Sequence, residues 1–197
     1  MLRIRIPHRS TVSLLRDVRG SAILEFAIVL PLLMVFIVGI FDFSGAFNQK
    51  QKIEQAAQEG AIIAGAQPMS DIDPSNPSAN GPDSLQPVVR AVFNSLAGSG
   101  VLPNANTGDC VPPGKHAHPG NLKWKYTISS CPDDLIITID RGLVSAPGPP
   151  AAVCTIVSIT YPYHWRFNRV IQLLFPGPSG YAATTQVTES ATVHNQM

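Results

Sequence analysis

The sequence predicts an α+β protein: a long N-terminal helix, first transmembrane and then amphipathic, packed on a small antiparallel β-sheet in a chain that crosses a membrane once. Three observations predict it. Ser21 to Phe41 is an unbroken apolar run apart from Glu25. Small and apolar residues then recur at helical spacing through Ile53, Ala56, Ala57, Gly60, Ala61 and Ala64, which is one stripe of an amphipathic helix. Beyond Leu122 the apolar residues alternate with polar ones or cluster in β-branched runs, the pattern of strands. Composition agrees. Of 197 residues 45% are hydrophobic and 14% charged, with a formal net charge of +1, which fits neither a disordered chain nor a nucleic-acid-coating protein.

The apolar run is of membrane length. Its residues would extend roughly 31 Å as a helix at ~1.5 Å per residue, against a hydrocarbon core of ~30 Å. A secretory signal has a shorter apolar core, of about 7–15 residues, with small residues at its end. Here the small pair Gly20-Ser21 precedes the run. Upstream, Arg3, Arg5, Arg9, Arg16 and Arg19 face a single acid, Asp17. By the positive-inside rule residues 1–20 are a basic cytoplasmic leader, residues 21–43 the span, and the bulk of the chain is extracytoplasmic.

Glu25 is costly where it stands. An acid at the centre of a membrane helix costs on the order of 2.5–3.5 kcal/mol, and less near an end. One reading is interfacial tolerance, with the side chain reaching back to the headgroups. The other supplies a partner charge. If the chain is cut between Gly20 and Ser21, Ser21 carries a free α-amine, which the Glu25 carboxylate of the same or a neighbouring chain can neutralise in low dielectric. The charge then sets the axial register between packed helices.

A basic leader, Gly20, a small residue and then Glu25-Phe26 ahead of an apolar run resembles the prepilin-peptidase signal of type IV pilins and pseudopilins. The longer stretch RGSAILEFAIVLPLLMVFIVGIFDFSGAFNQKQKIEQAAQEGA resembles the TadE-like family of the tight-adherence (Flp) pilus systems. The matching residues are Arg19-Gly20, Glu25-Phe26-Ala27, Leu30-Pro31-Leu32-Leu33, Gly39-Ile40, Asp42-Phe43 and the box Ala56-Ala57, Glu59-Gly60-Ala61. The likeness runs strongly from Val18 to Ala64 and weakly over the last forty residues. Where the family box continues with arginine this chain has Ile62. The resemblance implies a pilin-like fold and a pseudopilin or minor pilin without catalysis or cofactor. It also implies processing by a prepilin peptidase at Arg19, Gly20 and Ser21, and partners among other pilins, pseudopilins and the pilus assembly machinery. The expected location is the bacterial inner membrane, and the pilus or cell surface after assembly. The competing reading is an uncleaved, signal-anchored envelope protein whose periplasmic β-domain binds a ligand or partner.

Along the chain, one helix is expected from about Ala22 to Ala66, with residues 44–66 its extracytoplasmic half. Pro31 removes a backbone donor and should kink it or loosen a turn. Gly39 and Gly45 leave room for another helix, or are ordinary membrane-helix glycines. Residues 67–87 read as a linker, because QPMSDIDPSNPSANGP has no apolar period. The remaining extracytoplasmic domain, residues 88–197, opens with a short helix whose Val88, Val89, Val92, Phe93 and Leu96 share a face, stopped by Gly98 and Gly100. LKWKYTIS, DLIITID and AVCTIVSITYPY read as strands, with RGLVSAPGPP a turn-rich connector and GYAATTQVTESATV a polar terminal strand. Three or four antiparallel strands on the long helix would bury the alanine stripe.

No nucleophile elbow, phosphate loop, zinc-protease motif or paired Cys-x-x-Cys occurs, and no small-molecule substrate, cofactor or nucleic acid is expected. An envelope hydrolase has no residue support. Cys110, His116 and His118 sit in CVPPGKHAHPG, read as a solvated loop rather than the three converging ligands a metal needs. Asp133-Asp134 and Asp140-Arg141 read as strand-end and turn charges. His164, Trp165, Arg166 and Phe167 read as a core aromatic with flanking surface charge, or alternatively as a contact patch. Of three cysteines in an exported domain, one pair should be oxidised. Cys110 with Cys131 is preferred, closing a loop of about twenty residues for roughly 3 kcal/mol. Cys131 with Cys154 is the alternative.

Overall fold

The structure, a computed structural model, describes residues 18–72, 81–120, 122–146, 152–166 and 184–195. Most of the basic leader, part of the Gln67–Pro82 segment, the end of the turn-rich connector and Phe167 lie outside the described residues.

Helix α1 runs from Val18 to Ala66 and continues through Pro31. Its 49 residues extend roughly 73 Å at ~1.5 Å each. The N-terminal half is bare: Ile23, Leu24, Phe26, Ile28 and Phe36 are all exposed. Among the described residues this is the one helix long and apolar enough to cross a membrane. The C-terminal half buries the whole small-residue stripe, Ile53, Ala56, Ala57, Gly60, Ala61 and Ala64. Small side chains there let the helix axis approach its neighbours closely. A Cβ on Gly60 would lie 2.5 Å from a Val92 methyl and 3.3 Å from one of Val157, so Gly60 is where the two helices and the sheet converge. The helix stops two residues short of Pro68, whose ring opposes further helix.

The short helix α2, Gln86–Gly98, follows a 3-10 turn at Asp83–Leu85. Its apolar face is the expected one, Val88, Val89, Val92, Phe93 and Leu96, all buried. It ends as its glycines suggest. Val101 N–H donates to Leu96 O and Gly100 N–H to Ala97 O, with Gly100 at φ +74°, the paired bonds of a Schellman cap. Ser84 and Leu85 are already buried, and the Ser84 N–H donates to the Asp71 carboxylate at 2.7 Å. The turn and helix together occupy DSLQPVVRAVFNSLAG, and Leu85 supplies an apolar anchor ahead of the helix.

Among the described residues five strands, rather than the expected three or four, form one antiparallel sheet in sequence order: β1 Lys115–Gly120, β2 Lys123–Ile128, β3 Leu135–Ala146, β4 Ala152–His164 and β5 Thr184–His194. Register places Tyr126 opposite Ile137, Ile137 opposite Ile159, and Ile159 opposite Glu189. The inner face therefore carries Trp124, Tyr126, Ile128, Leu135, Ile137, Ile139, Val157, Ile159 and Tyr161, buried under the helices, with α1 lying along β4 and β5. The outer face carries Lys125, Thr138, Ser158 and Ser190 in one cross-strand row.

Two sequence expectations for this sheet need correcting. Strand β1 takes up KHAHPG, so His116 and His118 are strand residues rather than loop residues. The proline and glycine hide the signal, and the register shift between Ala117 and Gly120 accommodates them. Strand β3 likewise does not end at Asp140. A register shift between Asp140 and Leu143 lets it continue to Ala146. Arg141, read as a turn charge, is fully buried. Its guanidinium donates to Gln67 O at 2.7 Å and Pro68 O at 2.9 Å, clamping the chain just past α1. Burial lowers the Arg141 pKa, opposed by the charge of Asp71.

Candidate functional site

The site is built on α1 where the apolar run ends. Past Phe41 the helix turns Asp42, Gly45, Gln49 and Ile53 to one side, at intervals of three and four residues. Asp42 is 5% exposed while Phe41 and Phe43 on either side are 74% and 59% exposed. The cover comes from the end of β4. The Tyr163 hydroxyl lies 2.8 Å from the Asp42 carboxylate and 3.0 Å from its carbonyl oxygen, donating to both. Gly45 makes room for it, since a Cβ there would sit 2.6 Å from that hydroxyl. Burial first, then the hydrogen bond and charge of Asp42, push the Tyr163 pKa up to about 12, with Arg166 pulling the other way.

Neighbouring contacts hold the same junction. Gln49 Nε2 donates to Pro162 O at 3.2 Å. Lys50 pairs with Glu189 at 3.5 Å, a solvent-facing pair that contributes about 0–1 kcal/mol. Trp165 meets Phe43 edge-on at 5.3 Å and Tyr163 at 5.1 Å, and its indole N–H donates to Thr185 at 2.6 Å. His164 contacts the Asp133 carboxylate at 2.6 Å. The cluster after YPY is therefore half a junction: Trp165 is half-buried against α1, while His164 and Arg166 are exposed. Phe43, Tyr163 and Trp165 gather just past the end of the apolar run, and the amphipathic rings of Tyr and Trp favour a membrane–water interface.

The other sequence-selected residues fall in separate places. Arg19, Gly20 and Ser21 lie at the start of α1, and a Cβ added to Gly20 would meet nothing within 4 Å. Glu25 is exposed on the same helix, roughly 25 Å along the axis from Asp42. Cys110 and Cys131 form a disulfide with Cα atoms 5.0 Å apart, and Cys154 is a buried free thiol with Sγ 3.2 Å from His194 Nδ1. Tyr161 donates to Cys131 O. Burial, with the charge of Asp133, raises the Tyr161 pKa to about 12 against an Asp133 backbone bond that lowers it. His116 and His118 pack beside the rings of Tyr126 and Trp124. Among the described residues no group of three His, Cys, Asp or Glu side chains is gathered to hold a metal.

Sequence reasoning missed Asp42 and Tyr163 as a pair. The signal that could have found them is a second carboxylate directly after the apolar run, in GIFDFSG, followed by a glycine three residues on. No curated protein and no solved structure gives a significant match to the chain. Residues 20–61, which hold Glu25, Asp42, Gly45 and most of the small-residue stripe, match the model of the TadE-like protein family.

Proposed function

We propose that the chain is a structural component of a tight-adherence pilus system, a membrane-anchored pseudopilin or minor pilin without catalysis of its own. The observation that carries the reading is the TadE-like match over residues 20–61, a stretch that covers the bare apolar half of α1 and most of its packed half. In this reading residues 1–20 are a cytoplasmic leader, residues 21–43 span the inner membrane and the sheet lies outside. A prepilin peptidase cuts between Gly20 and Ser21. That bond lies in the first turn of α1, where helices fray most readily, so exposing it to a protease costs little. Glu25 then pairs with the new α-amine of its own or a neighbouring subunit.

N-terminal sequencing of the native protein tests the processing step. Ser21 as the first residue supports it, and Gly20→Val should leave the full chain in the membrane. A chain that begins at Met1 favours the uncleaved, anchored alternative. Glu25→Ala should insert and be cut but should not co-purify with other pilus components. Undiminished co-purification would show the carboxylate to be merely tolerated.

A further inference from the structure

A groove of about 430 Å³ runs along α1 on the side next to Tyr163, from Val38 and Phe41 at one end to Lys52 at the other. That volume is within the range of small-molecule sites, ~300–1,000 Å³. Its ends differ in chemistry. Val38 and Phe41 belong to the apolar run, so this end opens into hydrocarbon when α1 spans a bilayer. The lining also includes two cations, Lys52 farther along α1 beyond Asn48, and Arg166 just past the end of β4. Asp42, the acid in the lining, is almost completely buried and accepts a hydrogen bond from Tyr163, leaving the cations to dominate what a ligand meets. Arg166 follows Trp165, whose ring meets Phe43, and it lines the groove with Tyr163, so it stands beside the end of the apolar run.

We infer that this groove binds the headgroup of an anionic phospholipid, with the phosphodiester against Arg166 and Lys52 and the upper acyl chain against Val38 and Phe41. Val38 and Phe41 at one end, Tyr163 and Arg166 beside the end of the apolar run and Lys52 farther along α1 offer an apolar contact to an acyl chain and cations to its phosphate. A water-soluble anion would gain nothing from Val38 and Phe41, so the occupant is the lipid rather than free phosphate. The site rests on the membrane placement of α1 but not on the pilus role.

The test uses the full chain extracted from vesicles of equal phosphatidylglycerol and phosphatidylcholine, with retained lipid measured by native mass spectrometry. The wild type should retain phosphatidylglycerol selectively. Arg166→Ala and Lys52→Ala should each lower that retention about fivefold, the effect of one juxtamembrane cation. Lys123→Ala, on the outer face of β2, should leave it unchanged. Equal loss in all three variants would reduce the preference to bulk charge and overturn the site. Displacement by excess free glycerol phosphate would overturn the lipid assignment. Dimers without retained phosphatidylglycerol would mean that a second copy fills the groove, and would overturn it too. Vesicle flotation separates the premises: a wild type that floats but shows no lipid preference overturns the site alone, whereas one that does not float overturns the membrane placement and the site with it.

Discussion

Tyr163 closes on Asp42 across 121 residues of sequence, its hydroxyl 2.8 Å from the carboxylate. The contact joins the last residues of β4 to the point where α1 leaves its apolar run, so the sheet is fastened to the helix at the end of that run as well as along the alanine stripe.

Removing the hydroxyl should loosen that fastening. Tyr163→Phe deletes a hydrogen bond to a charged group and should cost about 1.5–3 kcal/mol, and Asp42→Asn should cost less because the amide oxygen still accepts. Denaturant unfolding of the single and double variants in detergent gives the coupling energy. A Tyr163→Phe cost within about 0.5 kcal/mol of zero, the level of an ordinary surface change, would show that the bond contributes nothing.

The tyrosines also set an alkaline limit. Tyr161 and Tyr163 have pKa values raised to about 12 from the ordinary tyrosine value of 10.0, and Tyr126 is raised as well, by burial first and then by Asp71. A raised folded pKa means the native state holds the proton more tightly than the unfolded chain. This stabilisation is fully present below the unfolded value and is lost as pH rises from about 10 through about 12. Stability measured against pH should therefore be insensitive to these groups up to about pH 10 and fall above it. A Tyr161→Phe, Tyr163→Phe chain should lose part of that slope, and an unchanged slope would contradict the assignment.

Glycines along α1 should respond unequally to alanine. Gly60→Ala drives a Cβ into Val92 and Val157, and overpacking of this kind costs about 1–3 kcal/mol. At Gly39 nothing lies within 4 Å of the added methyl, so Gly39→Ala should be neutral or slightly stabilising through helix propensity, by up to about 1 kcal/mol. Thermal unfolding of the two variants checks the contrast. Equal midpoints would mean that the helix–sheet contact at Gly60 is not as close as described.

Arg141→Met keeps much of the side-chain volume but leaves Gln67 O and Pro68 O without their guanidinium donors. Both carbonyls are only partly buried, so water can replace part of the loss, and the change should cost about 1–3 kcal/mol in all. Arg141→Lys should recover only part of the loss, because a single ammonium cannot reproduce the fork. Hydrogen exchange in the last turn of α1 would report the release locally. Protection there equal to wild type in Arg141→Met would rule out the clamp.

The helices are legible in the sequence because their periods are clean. Ile53 to Ala64 and Val88 to Leu96 alternate at three and four residues, and every apolar member is buried. Strands β2 and β4 are equally plain. Strand β1 is not, because its strand signal lies in a backbone register that Pro119 and Gly120 disguise. The second half of β3 is hidden by the chemistry of Arg141, since a sequence alone gives no reason to bury a guanidinium. Its partners, two carbonyls more than 70 residues upstream, exist only once α1 has been laid on the sheet. The role of Asp42 is hidden for the same reason: nothing in the sequence brings Tyr163 to it. Cys110 and Cys131 flank the β1–β2 hairpin, which returns the chain and brings them together, whereas the contact of Cys154 with His194 depends on the pairing of β4 with β5.

The unbroken course of α1 makes it a lever. Val18 to Phe41 and Asp42 to Ala66 are arms of similar length, each roughly 36 Å, and the sheet is riveted to the outer arm from its first residue. A change of about 10° in membrane tilt, well within the spread of such helices, would swing the Ala66 end by about 6 Å. In the proposed membrane placement, the tilt of the apolar arm is thereby converted into the aim of the sheet.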